Sequence, residues 1–270
     1  MPELPEVEIT RRGLAPGIEG QTLTGVSVRQ PRLRYPVPSE ELAALIGQPL
    51  RTIGRRGKYL LFDFGTGQVL IHLGMSGSLR LLPAGTPAEK HDHVDLVFGE
   101  YLMRLKDPRR FGAVLWHGSG PLEHPLLASL GIEPLAGTLD GPWLHRITRG
   151  RATPIKLLIM DSHILVGVGN IYASESLFRA RIDPRTKAGT LGPTRSARLA
   201  EAIRDTLEAA LAAGGSTLRD FIHSDGSSGY FQMQHFVYGR AGEACRLCGT
   251  PIQSLVMGQR STFRCPRCQR

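Results

Sequence analysis

Two stretches of this 270-residue chain hold residue types whose spacing could do chemistry. The stretch CRLCGTPIQSLVMGQRSTFRCPRC contains all four cysteines, with sixteen residues between the pair Cys245–Cys248 and the pair Cys265–Cys268. Two C-x2-C pairs at that separation fit a four-thiolate zinc site, so one structural Zn2+ per chain is expected. Disulfides are the alternative, but they suit a cytosolic chain poorly and adjacent C-x2-C pairs still less. Between the pairs, IQSLVM, Gly258-Gln259 and RSTF read as a hairpin, with metal at one end and Arg260 beside the turn at the other. From 236 to 270 there are six arginines and one glutamate. A four-thiolate zinc subtracts about two charges and leaves the segment basic. It reads as a finger that reaches into a nucleic-acid groove, or as a purely structural ribbon.

The second stretch is the opening, MPELPEVE. Pro5 suits a first helical turn, and Glu6 and Glu8 complement the helix dipole. Neither argument accounts for Pro2 or Glu3.

The elements that must position these residues divide into two kinds. Residues 1–15 read as a helix interrupted by Gly13 and closed by Pro16-Gly17. Short alternating segments follow: TLTGVSV, KYLLFDF and QVLIHLG around a Gly-Thr-Gly hairpin signal, then HVDLVF, YLMRL and GAVLW, which together predict a β-sandwich. Around 118–150 the pattern dissolves into Gly, Pro and polar residues, as in a linker. PIKLLIMD, NIYASESLFRA, PTRSARLAEAIRDTLEAALAAGG and STLRDFIHS then read as helices, the third with Leu199, Ile203, Leu207 and Leu211 at i+4 steps. In the GVGN turn before the second helix, Asn170 suits a helix N-cap. Free N–H groups there could take a phosphate, but a tight turn needing glycine for geometry is the simpler reading. The fold class is α+β, with 1–117 as an N-terminal β-sandwich, 118–150 as linker, 151–235 as a helical domain and 236–270 as the zinc finger.

The chain has 33 basic and 24 acidic residues, a net charge of +9, which favours a polyanion, nucleic acid before an anionic membrane. A composition bias towards arginine would give the same balance, since only five basic residues are lysine: Lys58, Lys90, Lys106, Lys156 and Lys187. No apolar run approaches the roughly 18–20 residues of a membrane span, and no leader pattern opens the chain. A cytoplasmic protein is expected.

Taken together, PELPEVE, GRRGKYL, HLGMSGSL, KHDHVDL, DPRRFG, VGVGNIYASESLF and the paired C-x2-C motifs resemble the bacterial formamidopyrimidine-DNA glycosylase family through nearly the whole chain. The resemblance implies a β-sandwich joined to a helix-two-turn-helix domain with a zinc finger. It also implies a monomer that excises 8-oxoguanine and formamidopyrimidines from damaged double-stranded DNA and then cleaves the abasic strand. Pro2 acquires a role from it, because once Met1 is removed the secondary amine of Pro2 attacks the deoxyribose C1′ and forms an iminium. An α-amino group has a pKa of roughly 7.7–8.0 against about 10.4 for lysine, worth roughly 300-fold in unprotonated nucleophile near neutrality.

By the same resemblance Glu3 is the acid–base partner, Lys58 serves β-elimination, and Arg260 serves δ-elimination and phosphate binding. Asn170 becomes a phosphate ligand, and His72 and His91 become DNA contacts. A flipped base leaves a gap, and Met75, Arg109 and Phe111 match the residues that fill it. A basic DNA contact falls near Arg151. Where relatives commonly have GGTTLKDF this chain has GGSTLRDF, in the region associated with enclosing the base. The sister family, endonuclease VIII, acts on oxidised pyrimidines, typically opens PEGPE and lacks the Met/Arg/Phe trio. A non-catalytic zinc-ribbon DNA-binding protein is the rival of a different class, and it leaves Pro2, Glu3 and Lys58 unexplained.

Overall fold

The computed structural model describes residues 2–118, 123–214 and 235–270. The expected helix STLRDFIHS and the GGSTLRDF departure lie outside the described residues. Two compact units divide the chain, one holding residues up to Ala128 and the other running from Ser129 to Ala213 and including the C-terminal segment.

In the first unit, helix α1 (Leu4–Ile18) precedes β1 (Leu23–Val28) and a short helix α2 (Ser39–Ala44). The strands β2 (Thr52–Arg56), β3 (Tyr59–Asp63), β4 (Gly67–His72), β5 (Ser78–Pro83), β6 (Asp92–Phe98), β7 (Tyr101–Lys106) and β8 (Ala113–Gly118) follow, then the one-turn helix α3 (Pro125–Ala128). They form two antiparallel four-stranded sheets, ordered β1-β6-β7-β5 and β2-β3-β4-β8. Both sheets give side chains to one core: Leu60, Phe62, Val69 and Ile71 from one, Leu96, Phe98, Met103 and Leu105 from the other. This is the β-sandwich that the alternating segments predict.

The helix α1 does not stop where Gly13 and Pro16-Gly17 suggest. It runs through both, and Val7, Leu14 and Ile18 join the sandwich core. Burying each such side chain gains about 1.5–3 kcal/mol, enough to outweigh a missing N–H in the last turn. Gly17 marks a close approach instead of a stop, because a Cβ there would come within 2.4 Å of Leu81 Cδ2.

In the second unit, α4 (Gly141–Thr148), α5 (Ile155–Ile159), α6 (Asn170–Arg179) and α7 (Pro193–Ala212) precede a hairpin of β9 (Gln253–Met257) and β10 (Arg260–Arg264). Helix α4 occupies part of the stretch expected to be linker. Asp140 caps it by accepting from the Trp143 N–H at 2.7 Å. Gly141 lets it cross α7 closely, since a Cβ would meet Ala197 at 2.7 Å. On α7, Leu199, Ile203 and Leu207 are buried as the i+4 pattern requires, whereas Leu211 is only half-buried.

Candidate active site and nucleic-acid interface

Pro2 and Glu3 are both buried at the start of α1, with Glu3 as the N-cap. The Glu3 N–H donates to the Glu6 carboxylate at 2.8 Å, one arm of a capping box. Glu6 thereby fixes the backbone next to Pro2. Glu8 has a different partner set, accepting from Arg11 at 2.8 Å, Arg12 at 2.9 Å and Arg55 at 3.2 Å, so it ties α1 to β2. Burial would raise its carboxyl, but hydrogen bonds from Arg11 and Arg12, with Arg55 nearby, outweigh burial and hold it at about 2. Glu6 and Glu8 therefore build the opening, and Glu3 is the acid beside Pro2.

Lys58 sits in the turn of the β2–β3 hairpin, after Gly57, whose φ of 55° is the left-handed value that a tight turn requires. His72 ends β4 opposite Tyr59, their rings 4.9 Å apart. Burial, with help from Lys58 and Arg34, lowers His72 to about 4, so it is neutral near pH 7. Its Nδ1 accepts from the Gly74 N–H at 3.0 Å, which leaves the proton on Nε2, a donor suited to a phosphate oxygen.

Met75 and Phe111 are 41% and 46% exposed, so neither large apolar side chain is spent on the core. They lie on adjacent loops, after β4 and before β8 respectively. The Arg109 guanidinium stands 4.9 Å from the centre of the Phe111 ring. A left-handed backbone is costly for residues with a Cβ, yet His91 (φ 74°), Arg110 (φ 56°) and Gln259 (φ 61°) adopt it. His91 is itself a proposed contact, and Arg110 and Gln259 adjoin Arg109 and Arg260. Arg181 (φ 55°), just past the end of α6, adopts it as well and adjoins none of the expected site residues, so this backbone does not by itself mark function.

In the second unit Gly169, not Asn170, is the N-cap of α6. The Asn170 side chain cannot cap because it is engaged elsewhere. Its Oδ1 accepts from Lys156 Nζ at 2.6 Å, and its Nδ2 donates to the Ser261 carbonyl at 2.9 Å. Lys156 is fully buried and also donates to the Thr262 hydroxyl at 2.6 Å. It was only one of five lysines in the sequence, and its place before an apolar helical run was the sole hint of burial. Arg260 is exposed at the start of β10, next to a turn whose central residues, Gly258 and Gln259, both have positive φ. Arg151 is exposed too, but its Nε donates to the Ile147 carbonyl at 2.8 Å, at the end of α4.

Glu175 of α6 accepts from the backbone N–H groups of Phe236, Val237 and Tyr238 at 2.8, 3.0 and 2.9 Å, anchoring the start of the finger segment. Phe178 of α6 shares a small core with Val237, Ile252, Cys245 and Cys265. The sulfur atoms of Cys245, Cys248, Cys265 and Cys268 all lie within 4.8 Å of one another. Tetrahedral zinc with Zn–S of about 2.3 Å needs sulfurs about 3.8 Å apart. The pairs Cys245–Cys268 and Cys248–Cys265 stand at 3.9 and 3.5 Å, so the four thiols fit that ion.

A β-sandwich whose N-terminus lies at a helix cap is thus followed in the chain by a helical unit bearing a four-thiolate hairpin. The comparisons agree along the chain. Residues 1–114 match the family model for the formamidopyrimidine-DNA glycosylase N-terminal domain, residues 130–222 that for its H2TH domain, and residues 242–270 a zinc finger found in FPG and IleRS. The formamidopyrimidine-DNA glycosylase of Aromatoleum aromaticum is 62% identical over 270 residues, covering 100% of both chains. The MutM (Fpg) protein from Thermus thermophilus superposes with a TM-score of 0.88 at 41% identity, over 99% of this chain and 98% of that one. The Lactococcus lactis Fpg, in a complex with an abasic site containing DNA, gives 0.90 at 34% identity, over 99% of both. The chain belongs to the formamidopyrimidine-DNA glycosylase family, whose members are glycosylases with abasic-site lyase activity that remove oxidised purines in base excision repair.

Proposed function

We propose that Pro2 is the nucleophile of this glycosylase and Glu3 its proton-transfer partner. The observation that carries this is the burial of Pro2 and Glu3 at the start of α1, with the Glu3 backbone held by Glu6. With Met1 removed, the Pro2 nitrogen bonds to C1′ as the bond from C1′ to the base breaks, and the N–H proton that Pro2 gives up balances the one the departing base takes. Glu3 exchanges a proton at the sugar oxygen, the ring opens, and an iminium joins Pro2 to C1′. The iminium accepts electrons, so the C2′ proton is lost and the 3′ phosphate leaves; elimination of the 5′ phosphate follows. Lys58 serves the first elimination and Arg260 the second. His72, His91, Arg151 and Asn170 hold DNA, and Met75, Arg109 and Phe111 fill the space vacated by the base. Cys245, Cys248, Cys265 and Cys268 hold a zinc that supplies structure and no reaction step.

The partner is damaged double-stranded DNA, bound by a monomer in the cytoplasm. Among the described residues no helix is long and apolar enough to cross a membrane. Borohydride treatment during reaction with a duplex containing 8-oxoguanine opposite cytosine tests the proposal. A covalent adduct is expected, and peptide mapping should place it on Pro2. An adduct on Lys58 would overturn the assignment.

A further inference from the structure

Asp107 follows β7 directly and is fully buried, and its polar atoms serve four segments of the first unit. Its N–H donates to the His91 carbonyl at 3.0 Å, and its own carbonyl accepts from the Arg110 N–H at 3.2 Å. That carbonyl also lies 2.8 Å from His93 Nε2, which must donate to it. The carboxylate accepts from the Ser76 hydroxyl at 2.8 Å and the Arg109 N–H at 3.3 Å through Oδ1, and from the Gly112 N–H at 2.8 Å through Oδ2. A carboxylate can accept on both oxygens at once, whereas an amide accepts on one.

Of these contacts, the one with Ser76 crosses from the loop carrying Arg109 and Phe111 to the loop carrying Met75. The backbones of the two loops also meet. Gly74 has φ 65°, and a Cβ there would stand 2.4 Å from the Phe111 carbonyl carbon and 2.5 Å from the Gly112 nitrogen. Met75 and Phe111 thus project from two loops pressed together at Gly74 and joined through a buried charge.

We infer that Asp107 is a positioning residue that, through Ser76, couples the two loops, so that Met75, Arg109 and Phe111 enter a base stack as one preformed wedge. The inference rests on the gap-filling reading of those three side chains. Separately mobile loops would each lose conformational freedom at the moment of insertion, whereas loops already joined have lost it on folding. The same residue fixes the His91 backbone, so the wedge and that proposed contact share one support.

The test uses the full zinc-loaded chain and a duplex with 8-oxoguanine opposite cytosine, with 2-aminopurine beside the cytosine to report insertion. Ser76→Ala removes the bridge and leaves the bonds from Asp107 to Arg109 and Gly112. It should slow insertion about 10-fold, the scale of one hydrogen bond to a charged group. Ser76→Thr, which keeps the hydroxyl, should restore the rate to within about two-fold. Cleavage of single-stranded abasic DNA, which has no stack to enter, should be unchanged in both, which shows that the fold and the Pro2 chemistry survive. Gly74→Ala should slow insertion in the same way by forcing the loops apart. If Ser76→Ala inserts at the normal rate while Met75→Ala, Arg109→Ala or Phe111→Ala slows, the coupling is wrong and the wedge stands. If none of those three slows insertion, the wedge reading fails and the inference falls with it.

Discussion

The Nζ of buried Lys156 lies 2.6 Å from Oδ1 of Asn170 and 2.6 Å from the hydroxyl of Thr262, so one ammonium joins α5, the start of α6 and the finger strand β10. Lys156→Met keeps the volume and removes all three donors. Hydrogen bonds to charged groups contribute about 1.5–3 kcal/mol each, so DNA affinity should fall by about 10–100-fold. A double-mutant cycle with Asn170→Ala should be strongly non-additive, because both changes undo the same junction. Additive losses would mean that Lys156 supports the finger without positioning Asn170.

Glu3→Gln separates excision from strand cleavage. The amide preserves size but cannot exchange a proton, and general acid–base help is typically worth about 10²–10⁴-fold. Excision of 8-oxoguanine should fall within that range, while cleavage of DNA already containing an abasic site should largely survive. An equal loss on both substrates would show that Glu3 serves the iminium steps as well.

Arg109→Ala should blur dependence on the base opposite the lesion and leave the salt dependence of binding nearly unchanged. Arg260→Ala should do the reverse, reducing the slope of log affinity against log salt by about one, since that residue is assigned to a phosphate. Rates opposite cytosine and adenine, measured across a salt series, distinguish the two. An Arg109 variant that changed only the salt slope would make it another phosphate contact.

Elemental analysis should find one zinc per chain. Because Phe178 of α6 packs in the same small core as Cys245 and Cys265, loss of metal should loosen α6 as well as the hairpin. In Cys265→Ser, amide exchange should accelerate across β9, β10 and α6 while the strands of the sandwich keep their protection. Unchanged protection in α6 would make the finger an independent module.

Acid should destabilise the first unit in two stages. His72 is held at about 4 against an ordinary value of 6.5, so the unfolded chain binds its proton first, and stability is lost as pH falls from 6.5 towards 4. Glu8 is held at about 2 against 4.5, so its contribution is present above 4.5 and is lost as pH falls towards 2. Denaturant melts of His72→Gln should lose most of the first stage, burial of His124 leaving a smaller remainder, and keep the second. A first stage of full size in that variant would place the titration elsewhere.

Much of this was legible in the residues themselves. The alternation in KYLLFDF and QVLIHLG gives β3 and β4, and the paired C-x2-C motifs with Gly258-Gln259 give the metal hairpin. What the residues did not carry was the outcome of packing. Pro16 and Gly17 read as a stop, but Leu14 and Ile18 had a core to enter. Asn170 read as a cap, but Lys156, fourteen positions away in sequence, took its oxygen. Asp107 carried no signal of its own beyond its place in DPRRFG, since its partners Ser76, His91 and His93 become neighbours only when the strands pair.

The left-handed backbones of His91, Arg110 and Gln259 bear on how this protein could be made more heat-resistant. Each costs about 1–2 kcal/mol relative to a relaxed residue. Glycine at Gln259 would remove that cost within the folded turn, though its freer unfolded chain returns part of it. The relief would come in the turn next to Arg260, so one position bears on both the stability of the finger and the placement of that arginine. A search for stabilising changes that screens only for thermal tolerance would select Gln259→Gly without reading Arg260; pairing that screen with strand cleavage would show whether tolerance is gained with that function intact.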